Sequence, residues 1–341
     1  MPKAKDAVLL VAEEILLQDE ELFKKSEEMF LLEQEKGKRT KSGTEKTNDL
    51  DGENEEQVKK VQKQEIITNE LGRNEVIFNS INDLETLYSC STKLKLPSSC
   101  YEFISNACDP IPYLRYIKTL HKYGVITITL GYDDDDGLTL KKIVNLIGIP
   151  HAHDKKGTEM WDIKGFENNI ARSHQLGEFT LHTDCSYEEN VPDFFGLYVV
   201  QHDQMGGGKN LVIDALNLLQ HLSRKSFDIL QKHPVKILVP KEFKKEKDFI
   251  NAFILDKELN IRYRREIIDS TSLTTEQKEA IDEFERLIHS PLLNRSLILN
   301  RRQIFLLDNK RYLHARTAIK DKNRHLKRIR FFSKEIKITL Q

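Results

Sequence analysis

Two stretches of this 341-residue chain combine residue types that can hold a metal ion. The first is His182-Thr183-Asp184, the only His-x-Asp or His-x-Glu in the sequence. On a strand, residues two apart point to the same face, so an imidazole and a carboxylate spaced this way can bind one ion from one strand. So loose a tripeptide also recurs by chance, and taken alone such a pair is more often ordinary surface or core polarity. The second stretch runs Leu307-Asp308-Asn309-Lys310-Arg311-Tyr312-Leu313-His314-Ala315-Arg316-Thr317. An apolar strand, Ile304 to Leu307, leads through a polar turn to His314. Arg324 and Arg328 follow ten and fourteen residues later. A solvated basic tail or a nucleic-acid patch is the bland reading of those arginines. Against the patch, Leu326, Ile329, Phe331 and Phe332 make this end of the chain strand-like.

Two histidines and one carboxylate on one face of an octahedron leave three positions open, the donor set of non-haem Fe(II) oxygenases. A keto acid can fill two of these through its carboxylate and ketone, and dioxygen the third. The far carboxylate of the keto acid then needs a cation. Arginine suits it, because the planar guanidinium pairs bidentately.

Elements must bring these residues together. A helix over Leu114 to Tyr123 is closed by Gly124, and Val125 to Leu130 is a β-branched strand. Asp133 to Gly137 is a turn, and a helix over Leu138 to Ile147 runs into Gly148 and Pro150. Short helical patterns near Pro97, Pro110 and Pro112 are broken by those prolines. Strands are predicted at Phe179 to Asp184, Phe195 to Gln201, Asn210 to Asp214, Val235 to Val239, Ala252 to Asp256, Ile261 to Arg264, Arg302 to Leu307 and Arg328 to Phe332. Helices over Leu216 to Gln231 and Thr275 to His289 interrupt them. Many short strands with Gly and Asn turns suggest an antiparallel sandwich or barrel.

The first 75 residues differ from the rest. Helical spacing over Asp6 to Glu35 gives way to Gly37 to Asn54, almost without apolar residues, which reads as a linker. A second charged helical piece covers Glu55 to Ile67. Residues 1–75 are thus a charged helical extension whose helix is a candidate for binding a partner or for self-association. Residues 76–341 are the globular domain.

A formal net charge of -1 points to neither nucleic acid nor an anionic membrane. No run approaches the ~20 apolar residues of a membrane helix. The short apolar run Ala7 to Ala12 lacks the features of a signal core, so the cytoplasm is the expected location. Cys90, Cys100, Cys108 and Cys185 form no CxxC pair and read as reduced structural thiols.

Residues 114–332 resemble the taurine dioxygenase-like family of 2-oxoglutarate oxygenases, which includes γ-butyrobetaine hydroxylase, L-asparagine oxygenase and clavaminate synthase. The matching text is Phe179-Thr180-Leu181-His182-Thr183-Asp184-Cys185-Ser186-Tyr187, then Pro192, then Gly206-Gly207-Gly208 before a strand ending at Asp214. Asp308 to Arg316 is similar to the segment carrying the family's distal histidine. Tyr123 to Ile128, with Gly148 after the next helix, is similar to its N-terminal block.

The resemblance implies a mainly β fold with flanking helices, a distorted double-stranded β-helix or jelly roll. It implies a dioxygenase using Fe(II), 2-oxoglutarate and O2 to hydroxylate or desaturate a small molecule, releasing succinate and CO2; an amino acid or derivative is the expected substrate. By the same resemblance His182, Asp184 and His314 are the iron ligands. Arg328 is the partner of the distal carboxylate, with Arg324 the competing choice. Asn210 stands where relatives often place a threonine that contacts the keto acid, and an amide can still donate there. Tyr187, Ser173 and Glu178 flank the metal strand as candidates for the substrate pocket, a structural role being equally open for each. Arg316 is a candidate for support behind the ligands. Asp184 sets the chain apart from halogenating relatives, which lack the metal carboxylate. The segment between the two motifs, Leu216 to Leu297, is expected to supply a lid and pocket walls.

Three competing readings remain: a silent jelly-roll binding protein, a zinc hydrolase and a nucleic-acid module. The lack of a His-Glu-x-x-His helix weighs against the second. The near-zero net charge weighs against the third.

Overall fold

The computed structural model describes residues 66–68, 74–76 and 80–334, apart from 153, 155, 166–170 and 245. The helix expected at 6–35 and the linker at 37–54 lie outside the described residues. So does the helical piece at 55–67, except for its last two residues. Ile66 and Ile67 are in a strand: β1 (Ile66–Thr68) pairs antiparallel with β2 (Asn74–Val76). The described residues all belong to one compact unit, residues 55–341.

Two sheets make the framework. The first has five strands in the order β3 (Thr92–Lys93), β13 (Arg295–Leu297), β10 (Asn210–Asp214), β15 (Tyr312–Arg316) and β8 (Phe179–His182). The second has seven: β4 (Tyr101–Ile104), β5 (Val125–Leu130), β14 (Gln303–Asp308), β9 (Phe194–Gln201), β16 (His325–Ser333) and β6 (Gly148–His151), with β7 (Met160–Lys164) also on β16. All pairings are antiparallel except β3 with β13 and β4 with β5. A separate hairpin joins β11 (Val235–Leu238) to β12 (Phe249–Ala252).

Period-two alternation sorts the side chains into layers. Val212 and Tyr312 of the first sheet pack in one cluster with Phe195, Phe305, Leu307 and Leu326 of the second, so the two sheets face each other. Leu181, Leu211, Ile213, Leu313 and Ala315 point the other way, under a cover that includes the helices Leu84–Cys90, Ala215–His221 and Thr275–Ile288. Ile126, Ile128, Ile304, Leu306, Ile329 and Phe331 turn to the helices Tyr113–Tyr123 and Leu138–Ile147. This is the jelly-roll arrangement with helices on both outer faces. The residues between the outward Leu313 and Ala315 on β15, and between Ile329 and Phe331 on β16, must therefore face inward. They are His314, and Arg330 with Arg328 before it.

Three sequence expectations are corrected. The helix expected over Leu216 to Gln231 is two helices, Ala215–His221 and Arg224–Lys232. Ser223 breaks it by accepting the Ser226 N–H as the cap of the second. The strand expected at Ala252 to Asp256 is β12, ending at Ala252, because the Asp256 side chain binds Asn260 and closes a turn there. Ile261 to Arg264 is no ladder strand. It makes isolated bridges, Ile261 with Leu255 and Arg264 with His182, so it lies along the chain that carries the metal motif. Gly124, at φ 70°, ends its helix in the left-handed conformation that glycine adopts without penalty.

Candidate active site

His182 closes β8, and His314 stands directly opposite it on β15. The ladder thus delivers two imidazoles to one point inside the sandwich, with ring centroids 4.2 Å apart. Asp184 follows two residues after His182, past the end of the strand. His182 Nε2 lies 3.7 Å and His314 Nε2 3.9 Å from Asp184 Oδ1. One donor atom from each residue falls within 4.8 Å of the others.

The local chemistry fits a metal ion. The His182 Nδ1–H donates to the Thr180 carbonyl at 2.7 Å, which leaves the Nε2 lone pair facing the cluster. That Nε2 is buried and has no hydrogen-bond partner. Burial lowers the His182 pKa, and burial together with the neighbouring His182 holds His314 well below its ordinary value. Burial opposes the charge on Asp184, but Arg328 beside it prevails and keeps the carboxyl well below the usual range. Neutral imidazoles and an ionised carboxylate are the forms that ligate.

Asn309, fully buried, fixes the Asp184 turn. Its Oδ1 accepts the Asp184 N–H at 2.7 Å, while its Nδ2 donates to the carbonyls of Asp184 and Pro192, each at 3.0 Å. Cys185 then takes a left-handed φ of 57° within the turn that follows β8.

The two candidate arginines sit differently. Arg328, on β16, places Nη1 2.9 Å from Asp184 Oδ2 and donates to Oδ1 at 3.1 Å. Arg324 precedes β16 and is 4 % exposed. Among the described residues, its guanidinium meets no carboxylate at ion-pair distance. The nearby Asp203 carboxylate accepts the backbone N–H groups of Met205, Gly207, Lys320 and Asp321. Gly208, at φ 60°, lies against Arg324: a Cβ there would stand 2.8 Å from Arg324 Nε. Asn210 on β10 is opposite Arg316 on β15. Arg316 donates to the carbonyls of Thr317 and Gln175 at 3.0 and 2.9 Å. Burial, and then Arg324 and Arg172, lower the Arg316 pKa to about 9; burial lowers that of Arg324 to about 10.

Of the flanking candidates, Ser173 and Tyr187 line the cleft at the His182, Asp184 and His314 cluster, and Glu178 is half-buried outside its lining. Tyr187 stacks on Phe243 with centroids 5.1 Å apart. Residues that sequence reasoning missed complete the wall: Phe179, Arg172, Phe243, Arg264 and Arg330. Phe179 stacks on the His182 ring at 3.6 Å, and its place at i-3 from His182 was the one signal available. A second donor group, His151, Cys185 and Glu188, gathers behind the Asp184 turn, with Arg330 on the Cys185 thiol. All four cysteines are free, and Cys108 alone is exposed. Two wider surface hollows, bordered by Glu189 and Arg262, are not lined by any of the three donors.

The sequence profile described as taurine catabolism dioxygenase TauD, TfdA family, matches residues 114–330. The chain belongs to this family. It is accordingly a dioxygenase dependent on Fe(II), 2-oxoglutarate and O2. Similar solved structures include an asparagine oxygenase in complex with Fe(II), 3-hydroxyasparagine and succinate, with a TM-score of 0.56 and 20 % identity over 66 % of this chain and 80 % of that one. Another is the non-haem iron oxygenase OrfP with Fe, succinate and a hydroxyarginine, at 0.53 and 18 % over 65 % and 79 %. OrfP with Fe and α-ketoglutaric acid gives 0.53 and 17 % over 66 % and 81 %. No curated protein gives a significant sequence match. The family member described here has no helix, among its described residues, long and apolar enough to cross a membrane.

Proposed function

We propose that this dioxygenase holds iron through His182, Asp184 and His314 and couples oxidation of 2-oxoglutarate to hydroxylation of a small organic molecule. One O2 supplies both oxygens: one enters the substrate C–H bond as hydroxyl, the other enters succinate as the keto acid loses CO2. The observation that carries the reading is the convergence of the three donors with an unpartnered Nε2 on His182. Iron bound there supplies the activation of O2 that no side chain can provide.

The chain's own residues bind and orient. The Thr180 carbonyl fixes the His182 tautomer and Asn309 fixes the Asp184 backbone. For the distal carboxylate of 2-oxoglutarate we favour Arg324. Among the described residues it is a buried cation without a carboxylate at ion-pair distance, whereas Arg328 is engaged by Asp184. The Asn210 amide, on the strand beside Arg316, is the neutral donor in reach of the same region. The neighbours' asparagine and arginine products support an amino acid or derivative as substrate. Four free thiols fit a reducing compartment such as the cytoplasm.

The test is anaerobic titration with Fe(II) and then 2-oxoglutarate, followed by the visible charge-transfer absorption of the chelate, and then succinate release in air. Wild type develops the band and releases succinate; His182→Ala does neither. Undiminished succinate release by His182→Ala or Asp184→Ala would overturn the assignment.

A further inference from the structure

Part of the long segment between the two metal motifs is fastened to both of them. Four successive residues, Ile261 to Arg264, engage the chain around the donors. The Ile261 N–H donates to the Lys310 carbonyl at 2.7 Å, in the turn that leads to His314. The Arg262 guanidinium donates to the carbonyls of Glu188 and Glu189 at 2.6 and 3.0 Å, just past the turn that carries Asp184. The Thr183 N–H donates to the Tyr263 carbonyl at 2.7 Å, and the Tyr263 N–H donates back to the Thr183 hydroxyl at 3.0 Å. Arg264 bridges to His182. The strap is itself anchored from behind. The Tyr263 hydroxyl donates to the Glu285 carboxylate, and its ring packs on Phe284 with centroids 4.7 Å apart.

Thr183 is where these contacts bear on the iron site. It stands between His182 and Asp184, so its two backbone dihedrals are among the few that set the separation of those donors. The ladder holds His182 and stops there. Asn309 holds Asp184 from the far side. Between them, Tyr263 engages both the N–H and the hydroxyl of Thr183. The first contact fixes the backbone, and the second fixes a β-branched side chain whose χ1 is already restricted. A hydroxyl can accept the Tyr263 N–H, and a methyl group of the same shape cannot. Thr183 and Tyr263 are both buried, so neither group can turn to water instead.

Resting on the iron assignment above, we propose that Thr183 is a positioning residue for the iron and that the strap Ile261 to Arg264 is what holds it. The strap seated on Thr183 keeps His182 and Asp184 at the separation that binds the metal. The dependence runs both ways: if seating the strap tightens iron binding, bound iron holds the strap by the same factor. Metal loading is thereby coupled to a segment that supplies none of the three donors.

The experiment uses the full chain, without oxygen, and Fe(II) as the probe. It reads the Fe(II) dissociation constant and the hydrogen–deuterium exchange of peptides covering residues 183–189 and 259–265. Thr183→Val weakens Fe(II) binding about tenfold, the lower end for groups that orient metal ligands, and Thr183→Ser recovers most of the loss. In wild type, Fe(II) slows exchange at 183–189 and 259–265 more than in the helix Tyr113–Tyr123, which packs outside the other sheet. In Thr183→Val that excess is lost. The helix-cap variant Thr274→Ala controls for stability lost away from the site: its unfolding midpoint falls and its Fe(II) affinity stays. Thr183→Val binding Fe(II) as tightly as wild type would overturn the proposal, as would the absence of rescue by Thr183→Ser. So would a strap whose exchange ignores Fe(II) in wild type, a result that needs no variant, or a loss of iron affinity in Thr274→Ala equal to that in Thr183→Val. Wild type that binds no Fe(II) at all would overturn the iron assignment itself, and the role of the strap with it.

Discussion

The two sheets supply opposite chemistry to one interior. The five-stranded sheet contributes His182 and His314, a facing pair in one ladder, with Asp184 just past the strand end. The seven-stranded sheet contributes Arg328 and Arg330 from inward positions of β16, on either side of the outward Ile329. Both sets obey the same period-two alternation, but they are held in different ways. An imidazole on a ladder residue has little freedom, so backbone register alone fixes the donors. An arginine has a long stem and a charge that burial penalises, so its place depends on a partner. The geometry of the two histidine donors is therefore built into the fold, while the cation geometry is conditional on counter-charge.

The largest break in that comparison is Asp184→Ala, which removes a donor from one sheet and the counter-charge from the other. We expect loss of stoichiometric iron and of succinate release. In metal-free protein the stranded Arg328 costs about 3–5 kcal/mol of stability, the effect of leaving a buried ion unpaired, measured by urea unfolding. His182→Ala, which leaves the Arg328–Asp184 pair intact, also loses iron but destabilises much less. Equal stability of the two variants would mean that Arg328 does not depend on Asp184.

The next break separates the arginines from each other. Arg324→Met is expected to weaken 2-oxoglutarate binding about 100-fold, within the range for truncating one partner of a buried charge contact. Iron affinity is unchanged, because Arg324 touches no donor. Arg328→Met acts on iron first, since it frees Asp184 from its ion pair. Titration of Fe(II) and then of 2-oxoglutarate resolves the two, and a reversed pattern would transfer the distal-carboxylate role to Arg328.

Asn309→Ala sharpens the claim that register fixes the donors. Asp184 alone of the three lies beyond its strand, so the Asn309 amide does for it what the ladder does for the histidines. Losing a group that orients a ligand costs roughly 10–100-fold in metal affinity, and the orphaned backbone groups cost about 2 kcal/mol. An Asn309→Asp variant keeps the acceptor for the Asp184 N–H and loses the donor, so its iron affinity falls between those of wild type and Asn309→Ala.

The sequence carries these regions unequally. His182 and Asp184 announce themselves by spacing, and Val125–Leu130 and Asn210–Asp214 by β-branched residues between turns. Tyr312-Leu313-His314-Ala315-Arg316 does not read as a strand, because its inward face is polar for the sake of the site. Its pairing is imposed by β10 and β8. Asn309 sits in a turn-like run and looks like a turn residue, although its amide is buried. Arg172 and Arg264 are 92 positions apart and meet only through Glu266, a closeness that no local pattern encodes. Ile261–Arg264 shows the reverse error: strand-like composition serves bridges to His182 and Leu255 in place of a ladder.

The smallest effect tests whether stability and site geometry can be separated. Thr274 caps the helix Thr275–Ile288: its hydroxyl accepts the Gln277 N–H at 3.2 Å, and the Gln277 side chain accepts the Thr274 N–H at 3.0 Å. Thr274→Ala removes half of this reciprocal box and should cost about 1 kcal/mol. The helix packs in the cluster outside the five-stranded sheet, with Leu181, Leu313 and Ala315, on the face opposite the donors. If ladder register is what sets the His182–His314 pair, fraying one turn of this outer cover lowers the unfolding midpoint and leaves Fe(II) and 2-oxoglutarate affinities at wild-type values. A fall in iron affinity parallel to the fall in stability would mean instead that the outer layer of helices presses the donors into place, and that the ladder alone does not hold them.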